Sequence, residues 1–377
     1  MMRLAARGLL SAAVAAAACA VSPGSAVAQF TPFEAAIARF DAEVSSGVAE
    51  DAAGAVSVAV FSGDEIIWSK GWGWADIENR RPATAETIGR TGSISKSFTA
   101  VLMMQLVERG LVGLDEPVAN HLPAVEGFAA SPEGAPPITF RMLASHTAGL
   151  EREPSLEDAA AGSIYLWQDK VLASIPTTAF ESPPGTEYSY SNIGFGTLGL
   201  ALERAAGVSF MELMETLVFG PLGMESSTFI LDAPDLFRRM SVGYSRRRDT
   251  GEVSAERATR EHFGRGYKVP NGGIYSTVGD LARFAAAMMG TTEVQILTDA
   301  SRREMLTPQA PAEGYGLGFS VEDEGGVTVV GHGGSVAGYN AALAFDPASG
   351  LGVALLRTTS YAPPVRELLV ELVKADR

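Results

Sequence analysis

Cysteine is nearly missing from this 377-residue chain: there is one, Cys19. It falls in an N-terminal segment that reads as removable, so the mature protein would hold neither a disulfide nor a thiolate nucleophile. Histidine is also sparse. His121, His146, His262 and His332 stand far apart without ligand spacing, so neither a metal nor a cofactor is expected. The chain has no G-x-S-x-G elbow, Walker loop, H-E-x-x-H helix or C-x-x-C pair, which closes most familiar hydrolase routes. Positive charge is short, with 29 basic against 44 acidic residues and a formal net charge of −15. Removal of Arg3 and Arg7 with the N-terminal segment leaves 27 basic residues against 44 acidic ones, or −17. That balance argues against nucleic acid or an anionic membrane as a partner, and otherwise speaks only of solubility.

The removable segment is "MMRLAARGLLSAAVAAAACAVSPGSAVAQF". Arg3 and Arg7 precede an apolar run from Leu9 to Val21, and the small residues Ala26-Val27-Ala28 follow. This pattern predicts a signal peptide over residues 1–28, cleavage after Ala28, and a periplasmic or secreted protein. A membrane anchor is the competing reading, but the run is shorter than the roughly 20 residues a span needs. Cys19 could accept a lipid, although Ala16 stands where a larger aliphatic residue usually precedes such a cysteine.

With 46% hydrophobic and 19% charged residues, the whole chain has ordinary globular composition. A helical "FEAAIARFDAEVSSG" leads into "AVSVAVFSGDEIIWSKGWGWADI", two β-rich runs around a Ser62-Gly63-Asp64 turn. A nearly all-apolar helix is expected over Ser93 to Gly110, and others over Gly196 to Ala206 and Met211 to Val218. Strand patterns return in "GLGFSVEDEGGVTVVGHGG" and in "YNAALAFDPASGLGVALLR", which turns at Asp346 to Gly350, before a last helix in "PPVRELLVELVKA". Strands at both ends around a helical middle predict one domain over 29–377. Its fold would be α/β (α+β), an antiparallel sheet flanked by helices, with a mostly helical subdomain inserted at roughly 110–265. No internal repeat is visible.

Three short motifs could carry chemistry. Ser93-Ile94-Ser95-Lys96 is the one S-x-x-K, and residues three apart share a helix face, so the amine can sit beside the serine oxygen. A serine is inert at its free pKa, but an amine kept neutral by burial can take its proton, and a charged one can stabilise the alkoxide. The plain alternative is an N-capping serine and a snorkelling lysine, although a cation in a first turn is disfavoured by up to about 1 kcal/mol. Tyr190-Ser191-Asn192 precedes a helix, so Asn192 could be its cap and Tyr190 a half-buried aromatic. A phenol near an ammonium can instead shuttle protons, and an amide can orient lysine and substrate. Gly331-His332-Gly333-Gly334-Ser335 interrupts a strand pattern, either as a plain turn or as a place of close backbone approach where a substrate runs along a strand edge.

In this order, Ser93-x-x-Lys96, Tyr190-x-Asn192 and His332-Gly333-Gly334 resemble the three signature elements of the serine β-lactamase and penicillin-binding-protein superfamily. The similarity is closest to the branch of class C β-lactamases, D-alanyl-D-alanine carboxypeptidases, D-aminopeptidases and related esterases. It extends to "ITFRMLASHTAGL", "GPLGMESSTF", "PNGGIYSTVGDLARF" and "GHGGSVAGYNA", and covers roughly residues 35 to 375. The resemblance implies a β-lactamase/transpeptidase-like fold with Ser93 as acylated nucleophile, Lys96 as its proton-transfer partner and Tyr190 as acid or base. It further implies that Asn192 touches Lys96 and a substrate amide, and that the backbone N–H groups of Ser93 and Ser335 form an oxyanion hole. His332 and Gly333 replace the lysine and threonine of class C β-lactamases, and Thr358 replaces a later asparagine, which removes groups that hold a β-lactam carboxylate. A neutral His332 would keep one hydrogen bond to offer. The expected function is an exported serine hydrolase acting through an acyl-enzyme on small-molecule ester or D-amino-acid peptide substrates. Class C-like β-lactamase is the alternative within enzymes, and a non-catalytic cell-wall-binding protein the alternative outside them.

Overall fold

The computed structural model describes residues 31–51, 53–247, 249–261 and 264–377; the signal segment, Cys19 and His262 lie outside them. Helix α1 (Pro32–Asp51) leads into the hairpin of β1 (Ala55–Ser62) and β2 (Glu65–Asp76), with Gly63 at the turn in a left-handed conformation (φ 58°). A two-residue strand β3 (Arg81–Pro82) extends β2. The other four strands come from the far end of the chain: β4 (Ser320–Asp323), β5 (Thr328–Val336), β6 (Tyr339–Asp346) and β7 (Leu351–Arg357). They form one antiparallel sheet in the order β3-β2-β1-β7-β6-β5-β4. The β1–β7 pairing, from Val56↔Arg357 to Ser62↔Leu351, closes the two chain ends on each other.

Strand β1 is buried along both faces, and its period of two divides the sequence between two cores. Val56, Val58 and Val60 face α1 and the C-terminal helix α5 (Val365–Asp376), against Phe40, Val44, Leu369 and Leu372. Ala59 and Phe61 face the larger core under α2 (Ser95–Glu108), α3 (Asn192–Ala206) and α4 (Val278–Met289). Residues 95–106 of α2 are all buried, and Phe98 stacks on Phe284 of α4 with centroids 3.7 Å apart. No helix among the described residues is long and apolar enough to cross a membrane.

The structure differs locally from the sequence reading. The helix expected from Ser93 begins at Ser95, and Ser93 sits in a 3-10 turn, Gly92–Ile94. Ser191, not Asn192, caps α3, its hydroxyl accepting the Gly194 N–H at 3.0 Å. The stretch expected as one helix over Met211 to Val218 is a short α-helix, Phe210–Met214, followed by a π-turn, Glu215–Phe219.

Candidate active site

Gly92 adopts φ 52°, a conformation that favours glycine, and this turns the chain so that Ser93 is presented at the head of α2. The turn is pinned from outside. Thr91 donates its N–H to the Ile274 carbonyl at 3.0 Å, Ser95 Oγ accepts the Ile274 N–H at 3.2 Å, and Thr99 donates its hydroxyl to the Pro270 carbonyl at 2.6 Å. The segment "PNGGI" is thereby laid along the start of α2.

Strand β5 approaches from the other side. It pairs with β6 from Val330 to Val336, but with β4 only from Thr328 to Gly331, so among the described residues His332 to Val336 have a free edge. That edge lies against the turn: a Cβ on Gly334 would stand 1.9 Å from the Thr91 carbonyl oxygen, and one on Gly92 would stand 2.7 Å from the Ser335 nitrogen. Close approach here requires glycine on both segments, and it puts the Ser93 and Ser335 backbones side by side.

Lys96 has no solvent exposure. Its Nζ lies 3.1 Å from Ser93 Oγ, 2.7 Å from Asn192 Oδ1 and 3.3 Å from the Asn271 carbonyl oxygen. Burial holds its pKa well below the usual lysine value; the charges of Arg152, Lys268 and Arg265 add to that, and Glu153 opposes it. The contacts fit an uncharged amine, which donates two N–H groups and keeps one lone pair. The two carbonyl oxygens take the donors, leaving the lone pair for the Ser93 hydroxyl.

Tyr190 closes the other flank. Its hydroxyl faces Ser93, and Lys96 Nζ lies 4.7 Å from its ring centroid. Burial pushes the phenol up to about 12, against the pull of Ser93 and of Arg152. Asn192, 8% exposed, has its amide fixed by its neighbours: Nδ2 donates to Glu153 Oε1 at 2.6 Å and Oδ1 faces Lys96. A carboxylate only accepts, so this amide cannot flip without losing both bonds. Glu153 also accepts from Tyr267 OH and pairs with Lys268 at 3.0 Å. Desolvation raises its pKa, but these partners outweigh it and keep the carboxylate ionised.

His332 is not free to donate. Its Nδ1 lies 2.6 Å from the Gly333 carbonyl oxygen, which can only accept, so the proton sits on Nδ1 and Nε2 accepts from Tyr315 OH at 3.1 Å. Burial holds its pKa down to about 4, so the ring is neutral at pH 7. The hydrogen bond expected of a neutral His332 toward a substrate is therefore spent within the protein. Gly333 and Ser335 are exposed along the strand edge.

Ser93, Lys96, Tyr190, Asn192, His332, Gly333, Gly334 and Ser335 thus meet around one cleft. Sequence reasoning did not single out Glu153, Asn271, Tyr315 or His146. His146 underlies Tyr190 with centroids 4.1 Å apart, and its Nδ1 accepts the Ser191 N–H at 3.0 Å. His146 and Asn271 stand inside "LASHTAGL" and "PNGGI", which could have marked them; Glu153 and Tyr315 carry no local signal. Among the described residues, no three histidine, cysteine, aspartate or glutamate side chains are grouped as a metal site would need.

The β-lactamase family profile matches residues 40–375, which contain every group just described. The chain belongs to the β-lactamase family. Within it, the chain is similar to the D-alanyl-D-alanine-carboxypeptidase/endopeptidase AmpH of Escherichia coli (strain K12), 26% identical over 81% of this chain and 79% of that one. Penicillin-binding protein 4 of Amycolatopsis lactamdurans is 31% identical over 77% and 78%, and esterase EstB of Burkholderia gladioli 29% over 86% and 91%. The octameric penicillin-binding protein homologue from Pyrococcus abyssi has a TM-score of 0.75 at 26% identity, over 89% of this chain and 76% of that one. This β-lactamase-family chain is a serine hydrolase of that fold.

Two substitutions probe this geometry. Gly334→Ala should lower kcat/KM by at least about 100-fold, the order of losing one oxyanion donor, because its methyl drives the strand away from Thr91. Steady-state kinetics alongside a melting curve checks this. Glu153→Gln lets the Asn192 amide turn over, and should lower kcat about tenfold with a smaller change in KM. An unchanged kcat in the folded variant would show that the amide needs no such fixing.

Proposed function

We propose that this protein is an exported serine hydrolase that works through an acyl-enzyme on ester or D-amino-acid peptide substrates. The observation that carries the reading is the buried Lys96 amine, 3.1 Å from Ser93 Oγ, with its other two contacts taken up by carbonyl oxygens. Ser93 Oγ attacks the substrate carbonyl carbon while its proton passes to Lys96 Nζ. The negative charge that develops on the carbonyl oxygen is received by the N–H groups of Ser93 and Ser335. Tyr190 then gives its proton to the leaving oxygen or nitrogen as that bond breaks, and takes one back from the Lys96 ammonium. Water repeats the sequence on the Ser93 ester and releases the acid. The phenol's high pKa suits a proton donor, and the amine's low pKa suits a base at neutral pH. A neutral strand side, with His332 and Gly333 facing the cleft, supports esters and peptides over β-lactams that need their carboxylate held there. The residues 1–28 pattern supports export.

The test combines turnover with intact mass. Wild type should hydrolyse para-nitrophenyl esters, and Ser93→Ala should lose at least about 10³-fold of that rate. Any penicillin adduct should be absent from Ser93→Ala. Ester turnover that survives the substitution overturns the mechanism. The pH profile tells the base apart: kcat/KM should fall as acid protonates Lys96 and run flat through mildly alkaline pH. A Tyr190 phenolate base would instead give a rate still climbing toward pH 12.

A further inference from the structure

The nucleophile of this acidic chain sits among cations. Arg152, Lys268 and Arg265 all act through space on the Lys96 amine. Lys268 is paired with Glu153, and Arg265 is half-buried, donates to the Gly272 carbonyl and lies in the field of Glu261. Arg152 differs from both. It is exposed, and among the described residues its guanidinium has no hydrogen-bond acceptor and no carboxylate within 4.0 Å.

Its position is nevertheless held. The Arg152 carbonyl accepts the Asn192 N–H at 2.9 Å, and its guanidinium carbon lies 4.8 Å from the Tyr190 ring centroid. Tyr190 spans the gap, with its ring against Arg152 and its hydroxyl toward Ser93. A guanidinium resting on an aromatic ring keeps its fork of N–H donors available for a carboxylate. An anion there would lie about one phenol's length from the reacting carbonyl. The opposite side of the cleft offers no such partner: His332 is neutral with its single N–H spent on Gly333, and Gly333 and Ser335 carry no charge. Arg152 also opposes protonation of Lys96, so it is a cation placed where the base tolerates it.

We propose that Arg152 binds a carboxylate of the substrate, so that the preferred substrates are esters or peptides with an acidic group a short chain away from the scissile carbonyl. This rests on the acyl-enzyme reading above and narrows its substrate class. The chain's negative charge makes such recognition local, because ions at ordinary strength screen the field beyond about 8 Å. Neutral substrates gain nothing from Arg152, and a carboxylate bound elsewhere meets an acidic surface.

Two matched pairs test it. One places the carboxylate on the acyl side, the para-nitrophenyl half-ester of glutarate against para-nitrophenyl butyrate. The other places it on the leaving group, meta-carboxyphenyl butyrate against phenyl butyrate. Wild type should favour the charged member of at least one pair by about tenfold in kcat/KM at low ionic strength, and the preference should shrink in high salt. Arg152→Ala should abolish the preference, and Arg152→Lys should retain part of it. If Arg152 merely supports Tyr190, Arg152→Ala lowers both members alike and the ratio stays, which overturns the assignment. Turnover with no preference in either pair overturns it too, and leaves the acyl-enzyme reading standing. If no ester is turned over and no penicillin adduct forms on Ser93, both fall together.

Discussion

An amine held without water is the constraint around which the rest of this site is arranged. Lys96 lies in the first turn of α2, where the helix end adds its own positive field to the charges of Arg152, Lys268 and Arg265. Each of these disfavours the ammonium, as does full burial, and Glu153 alone opposes them from beyond Asn192. The uncharged form needs acceptors for two hydrogens, and the chain supplies them from two other segments, α3 through Asn192 and the "PNGGI" turn through Asn271. Those segments are locked to each other by Asn271 Nδ2 donating to the Asn192 carbonyl at 2.8 Å. The apolar α2 is therefore more than core filler, because its burial is the largest cause of the lysine's lowered proton affinity.

What the sequence made legible follows from how local each rule is. Ser93 and Lys96 belong to one turn, so their spacing alone puts them together even though Ser93 proved to precede the α-helix. The alternation in "AVSVAVFS" was readable as a strand, and the same alternation assigns Val58 and Ala59 to opposite cores. Asn192 was harder, because two adjacent residues could each cap a helix and only the backbone decides. Ser191 takes the cap and so leaves the Asn192 side chain for Lys96 and Glu153. Glu153 and Tyr315 were not legible. Glu153 meets Asn192 39 residues away and Tyr315 meets His332 17 residues away, through packing that no local pattern encodes.

On the strand side the backbone approach and the side chains set separate properties of the site. Gly334 keeps β5 within reach of Thr91 and so keeps Ser335 beside Ser93. Along the edge His332 and Gly333 depart from the class C pattern, and His332 turns to Gly333 and Tyr315. The edge retains backbone donors and exposed glycine, which suit an extended acyl or peptide chain lying along it. It has lost the charge that would anchor a carboxylate there.

On the proposed reading, the charge that holds a carboxylate stands on the loop that carries Arg152 and not on the strand, and this bears on the base as well as on recognition. Arg152 lowers the proton affinity of Lys96 while the site is empty. A carboxylate bound to the guanidinium cancels much of that field, so the amine becomes more basic once an acidic substrate is in place. On the proposed mechanism, Lys96 then takes the Ser93 proton more readily in the complex than in the free enzyme, and a neutral substrate brings no such change. Recognition and base strength are coupled through one cation, and Tyr190 lies between it and the serine.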